Sequence, residues 1–164
     1  MYNNVIGGLH RALVQRGFST LRFNFRGVGK SEGRYADGVG EKEDVRGAVE
    51  FAIEKADLPL FLVGYSFGAA VGTKAVVGDK RVKALLCISP PIAMYEFSSF
   101  KDDMRPKLFV AGDRDLVCPV KSLEEFFNAL PQPKSIRIIQ DVDHFWWGME
   151  DRVADSVIDF LQGL

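Results

Sequence analysis

The stretch Leu60-Phe61-Leu62-Val63-Gly64-Tyr65-Ser66-Phe67-Gly68-Ala69-Ala70-Val71-Gly72 decides the fold. Its first four residues form a short, wholly apolar run, the pattern of a strand buried on both faces of a parallel sheet. Its last residues are small, which lets a helix lie close against that sheet. Between them, Gly64-x-Ser66-x-Gly68 matches G-x-S-x-G in the context that motif needs, after a strand and before a helix. A turn this tight gives the serine strained backbone angles and requires small neighbours, a role the sequence assigns to Gly64 and Gly68. It lifts the Ser66 hydroxyl above the sheet and aims the Phe67 N–H, at a helix N-terminus, toward a developing negative charge.

The same alternation extends in both directions. Val5, Ile6, Leu9, Leu13 and Val14 recur at helical spacing before Gly17. Phe18–Phe25 reads as a strand and Arg26–Gly33 as a Gly-rich loop. A helix is expected from Gly40 to Ala56, with Glu41, Glu43 and Asp44 at the positive end of its dipole. Downstream, Val82–Ile88, Lys107–Ala111 and Ser135–Ile139 read as strands. Helical stripes follow at Leu123–Leu130 and Val153–Leu161. This order implies an α/β fold, a three-layer α/β/α arrangement with a mostly parallel sheet of about five strands. Functional groups then gather at the C-terminal ends of the strands.

Composition narrows the function. The 164 residues fit one domain, taken as 1–164 with a short lid-like loop at 89–106. The net charge of −1 offers no basic footprint for nucleic acid, and no apolar run is long enough to span a membrane. Two cysteines, Cys87 and Cys118, are too few for a disulfide scaffold or a four-cysteine zinc site. With no signal peptide visible, they favour a cytoplasmic setting. Gly27-Val28-Gly29-Lys30-Ser31 fails the phosphate-loop pattern because Asn24 stands where a glycine is needed.

A serine hydroxyl needs a general base held by a third group. There are two histidines. His10 lies inside the first helix and reads as a solvated surface residue, whereas His144 follows the last strand, where a base could lean over Ser66. The acid should fall between them in the chain. Asp115 is favoured, with Asp113 capping the turn or pairing with Arg114. Asp141 and Asp143 remain alternatives, though close in sequence to His144.

Gly64–Gly68, Gly112-Asp113-Arg114-Asp115 with Cys118-Pro119, and Asp143-His144-Phe145 together resemble the α/β-hydrolase superfamily. So does Phe23–Gly33, which is similar to the stretch after that family's fourth strand. The nearest branch looks like the small, cap-poor hydrolases near dienelactone hydrolases and serine aminopeptidase-like proteins. The resemblance implies Ser66 as nucleophile, His144 as base and Asp115 as acid. It also implies no metal and no organic cofactor. The substrate would be a small-molecule ester, thioester or amide, cleaved through an acyl-enzyme. Arg26 and Ser31 become loop-shaping residues, Arg26 by tying down backbone carbonyls. The segment 89–106, with Met94, Tyr95, Phe97 and Phe100, becomes a short apolar wall of an open site. Trp146 and Trp147 either line the leaving-group side or pack the last helix on the sheet.

The resemblance also exposes a departure. The family's core has eight strands, and its third lies between the fourth and fifth. Here Phe18–Phe25 and Leu60–Val63 would lack that shared neighbour, and the loop giving a second oxyanion N–H would be missing. Two readings follow: a truncated hydrolase with Met1 at an internal position of a longer ancestor, or a non-catalytic interaction module that self-associates through exposed sheet edges. An acyl transferase is a third.

Overall fold

The computed structural model describes residues 3–164; Met1 lies outside them. Helix α1 spans Asn4–Gln15 and is capped by Asn3, whose side chain accepts the Ile6 N–H. Gly17, at φ +84°, ends it. Helix α2 spans Glu41–Lys55, one residue inside the expected limits at each end. Then follow β1 (Leu60–Tyr65), α3 (Phe67–Ala75), β2 (Val82–Ile88), β3 (Lys107–Gly112), α4 (Val120–Asn128), β4 (Lys134–Ile139) and α5 (Glu150–Gln162).

The strands form one parallel sheet in the order β1-β2-β3-β4. The period of two sorts their side chains between its faces. Leu85, Cys87, Phe109 and Ala111 join Val45, Val49, Ala69, Ala70 and Leu123 of α2, α3 and α4. Ala84, Leu86, Ile88, Leu108 and Val110 join residues of α1 and α5, among them Val5, Leu9, Val153 and Val157. The three layers expected from the sequence are therefore present. Right-handed crossovers of strands that advance one way would place α3 and α4 on the same face, and residues of both pack into the first of these clusters.

Among the described residues the sheet has four strands rather than five. Phe18–Phe25 is neither helix nor strand and belongs to no ladder among the described residues. It has no adjacent strand to receive its N–H and C=O groups. A largely apolar groove of about 620 Å³ separates it from β1, lined by Leu9, Leu13, Phe18, Leu60, Phe61 and Val63 among others. Among the described residues strand β1 is thus an edge, paired only with β2.

Part of the segment 89–106, expected as a short lid-like loop, packs into the core. The β2–β3 connection contains no α-helix, only a 3-10 turn at Ser98–Phe100, so that part of the sheet face needs other cover. Phe97 and Phe100 supply it from within the core. The Phe100 ring sits 5.4 Å from Phe109 and 6.1 Å from Phe126, centroid to centroid. Met94 alone of the four apolar residues is well exposed. Truncating Phe100 to Ala should therefore cost about 3–5 kcal/mol in denaturant-induced unfolding, the range for a buried aromatic. A loss below about 1 kcal/mol would mean that Phe100 does not anchor the segment in the core.

Candidate functional site

Ser66 sits between β1 and α3 at φ 50° and ψ −123°, a region non-glycine residues rarely occupy. Its N–H donates to the Ile88 carbonyl at 2.9 Å, so the β1–β2 ladder runs on into the turn and holds it. Steric room is needed at one glycine and not at the other. A Cβ on Gly64 would lie 2.5 Å from the Ala69 Cα, whereas one on Gly68 meets nothing within 4 Å beyond its own helix. The Phe67 N–H opens α3 and, like the first amides of any helix, has no intrahelical acceptor.

His144 lies in the β4–α5 loop. Its Nε2 is 2.9 Å from Ser66 Oγ, and its Nδ1 is 3.0 and 2.9 Å from the two Asp115 oxygens. Facing a carboxylate, Nδ1 carries the ring hydrogen, which leaves Nε2 to accept from the Ser66 hydroxyl. Asp115 is only 3% exposed. Its Oδ1 also accepts the N–H groups of Val117 and Cys118 at 2.9 and 2.8 Å. Burial pushes this carboxyl up, but hydrogen bonds from His144, Ser89 and the Cys118 N–H outweigh it, and its pKa lies below the ordinary value. Burial, reinforced by Asp115, raises the Cys118 thiol to about 12, so it stays protonated at neutral pH as a small core residue.

The other carboxylates do different work. Asp113 accepts the Val142 N–H at 3.3 Å, Asp141 pairs with Arg114, and Asp143 accepts the Phe145 N–H. Arg114 therefore pairs with Asp141 instead of Asp113. Arg26 does not tie down carbonyls: its guanidinium and its own N–H bind the Asp44 carboxylate of α2. Ser31 does fasten the loop, donating to the Asn24 carbonyl. His10 is half-buried rather than solvated, with Nδ1 2.6 Å from Thr20 Oγ1.

Two residues that the sequence reading passed over place the His144 loop. Tyr65 donates its hydroxyl to the His144 carbonyl at 2.8 Å, and burial raises that phenol to about 12. Gly112 lets the loop cross the end of β3, because a Cβ there would lie 2.1 Å from the Val142 carbonyl oxygen. A glycine directly ahead of Asp113 was the available signal. Trp146 is fully buried and Trp147 is 74% exposed, so of the two only Trp146 contributes to packing.

The family model for serine aminopeptidase, S33 (Hydrolase_4) matches residues 2–105. The chain belongs to this family. A relative in Rickettsia prowazekii, the uncharacterized protein RP471, is 31% identical over 98% of this chain and 72% of its own length. An α/β serine hydrolase homologue from Coxiella burnetii is 33% identical, with a TM-score of 0.86 over 100% of this chain and 77% of that one. XC6422 from Xanthomonas campestris, an α/β serine hydrolase without lid, is 29% identical with a TM-score of 0.89. It is covered over 74% of its length, against 99% of this chain. The fold is that of an α/β hydrolase, in a chain shorter than these relatives. No described helix is long and apolar enough to cross a membrane.

Two outcomes follow for stability. Gly112→Ala should cost about 1–3 kcal/mol, the range for overpacking, with the loss read from the unfolding midpoint. An unchanged midpoint would mean that the loop yields freely. Asp115 is held below its unfolded-state value near 3.9, so its stabilisation is complete above that pH and lost as pH falls through the lower native value. Asp115→Asn should flatten the acid side of the stability–pH curve below about pH 4. Parallel curves for the two proteins would contradict the assignment.

Proposed function

We propose that the chain is a serine hydrolase that cleaves a small ester, thioester or amide through an acyl-enzyme. The observation that carries this reading is the continuous run Ser66 Oγ, His144 Nε2, His144 Nδ1 and Asp115, with every link at 2.9–3.0 Å. In the reading, Ser66 Oγ attacks the carbonyl carbon while its proton passes to Nε2. The carbonyl π pair moves onto oxygen, and the Phe67 N–H stabilises that charge. Collapse expels the leaving group, which takes the proton from the imidazolium. Water then repeats the sequence on the acyl-enzyme. Asp115 stays ionised throughout, fixing the tautomer and balancing the transient imidazolium.

An apolar acyl or leaving group suits the surroundings. Leu116, Phe145 and Trp147 are exposed beside Asp115 and His144, and the Phe145 ring lies 5.8 Å from the imidazole. Tyr95 of the 89–106 segment adds an aromatic ring 6.1 Å from that of Phe67, next to Ser66. The two buried free cysteines fit a reducing, cytoplasmic setting. The test is labelling with a fluorophosphonate probe. The wild type should be modified once, Ser66→Ala should not react, and His144→Ala should react at least about 10³-fold more slowly. A folded wild-type protein that takes no label would overturn the reading.

A second reading, an interaction module, is favoured by the uncovered edge of β1. This strand has no charge, proline or bulge at its centre to discourage pairing. A second copy of the chain is the proposed partner. Light scattering across a hundredfold concentration range should show a dimer that dissociates on dilution. A constant monomer mass would refute it.

A further inference from the structure

Four aromatic side chains from four separate segments meet beside Ser66. Phe67 directly follows the serine and stands at their centre. Its ring centroid lies 5.6 Å from that of Phe25, 5.8 Å from Tyr35 and 6.1 Å from Tyr95. The rings meet edge-on or tilted, at 80°, 48° and 68°, as aromatic quadrupoles favour. Gly38, at φ +79°, seats the Tyr35 loop on α3: a Cβ there would lie 3.4 Å from Val71 Cγ2 and 3.9 Å from Phe67 Cε2. A polar contact fixes each tyrosine. The Tyr35 hydroxyl donates to Asp37 Oδ1 at 3.1 Å, and the Lys74 ammonium stands 6.0 Å from the Tyr95 ring centre.

This cluster differs from the one around Phe97, Phe100 and Phe109, whose rings are buried in the core. Phe25, Phe67 and Tyr95 are each half-buried, and Tyr35 is 63% exposed. The four rings interlock and still present surface to water. Such a patch has the character of a binding surface rather than of a core.

Its place relative to the base assigns it to one part of the substrate. His144 must hand its proton to the leaving group, so that group lies on the His144 side, next to Phe145. The carbonyl oxygen turns to the Phe67 N–H. The acyl chain keeps the remaining direction, away from His144. Strands β2, β3 and β4 stand on one side of β1, and Asp115 and His144 follow β3 and β4. The chain leading to Phe25 runs on the other side, beyond the groove. Phe25 and Tyr35 both pack on Phe67 from there.

We propose that Phe25, Tyr35, Phe67 and Tyr95 form the wall that receives the acyl group, and that this group is aromatic. The proposal deepens the serine-hydrolase reading and rests on it for turnover. An aryl ring can join the cluster edge to face, as its members join one another, whereas a saturated ring of the same size gains burial alone. Each aromatic contact adds about 2- to 12-fold beyond that burial. Tyr35, the most exposed of the four, and Tyr95 are the specificity-determining residues.

The test compares p-nitrophenyl phenylacetate with p-nitrophenyl cyclohexylacetate. The two share a leaving group and nearly a size, and differ in whether the ring is aromatic. With each kcat/KM divided by the rate of the same ester with hydroxide, the wild type should favour the phenyl ester about 10-fold. Tyr35→Leu and Tyr95→Leu keep apolar bulk, and each should lower that ratio about 3-fold. Tyr35 is largely exposed, so its variant leaves the core packing intact. A wild-type ratio near one, or a ratio that neither variant changes, would overturn the proposal. A second measurement needs no turnover: in NMR titrations of the wild type, the ring protons of Tyr35 and Tyr95 should shift with phenylacetate where cyclohexylacetate leaves them unmoved. A folded wild type that hydrolyses neither ester and takes no fluorophosphonate label would end the serine-hydrolase reading. The titration would then decide the wall, and shifts that are absent, or equal for the two acids, would overturn it.

Discussion

Parallel strands laid side by side in chain order finish at one edge of the sheet, and the site depends on that constraint. Ser66 and His144 are 78 residues apart in sequence, yet each needs only to begin the loop after its own strand to meet the other. The register ties the strand ends together: Tyr65 pairs with Ile88, Ile88 with Val110, and Gly112 with Ile139. A slip of one residue would turn Leu85 and Cys87 to the face of α1 and α5, so core burial locks the register. The positions of the polar groups follow from the packing of the apolar ones.

Where sequence and structure agree, the signal is local or periodic. Strand β2 has the limits expected from Val82–Ile88, and Ser66 falls at a sharp turn that Gly64 announces. Asp115, not Asp113, lies against His144 Nδ1, two residues further along the loop. What the sequence hides is cooperative. Phe18–Phe25 has strand-like composition, but a strand exists only where a neighbour accepts its hydrogen bonds, and none lies within reach. Phe97 and Phe100 look like a lid until the β2–β3 connection is known to lack a helix. Ser89 and Trp146 are 57 residues apart, and no spacing rule joins a serine to an indole.

The uncovered edge of β1 and the site lie on neighbouring parts of one strand. Backbone groups on the open side of Leu60–Val63 have lost the partners that an interior strand would have. The groove beside them keeps those groups in contact with solvent rather than sealing them unpaired in the core. That is why four strands suffice to hold the turn at Ser66: its bond to Ile88 runs through the β2 side of β1, away from the groove. An imperfect edge and an ordered site are compatible because they use opposite sides of the strand.

Strain completes the picture. Five non-glycine residues in the described chain have positive φ, and four of them, Ser66, Ser89, Asp141 and Trp146, lie at the strand ends or in the His144 loop. Such conformations cost about 1–3 kcal/mol each and persist only where surrounding bonds fix them. Here those bonds are visible. Ser66 N–H is held by Ile88 and Ser89 N–H by Val110. Asp141 is held by Arg114, and the Trp146 indole by Ser89. Two of the four anchors are backbone groups of β2 and β3, the two central strands of the sheet. The two central strands therefore anchor two of the strained residues, and one of these, Ser66, carries the hydroxyl that meets His144.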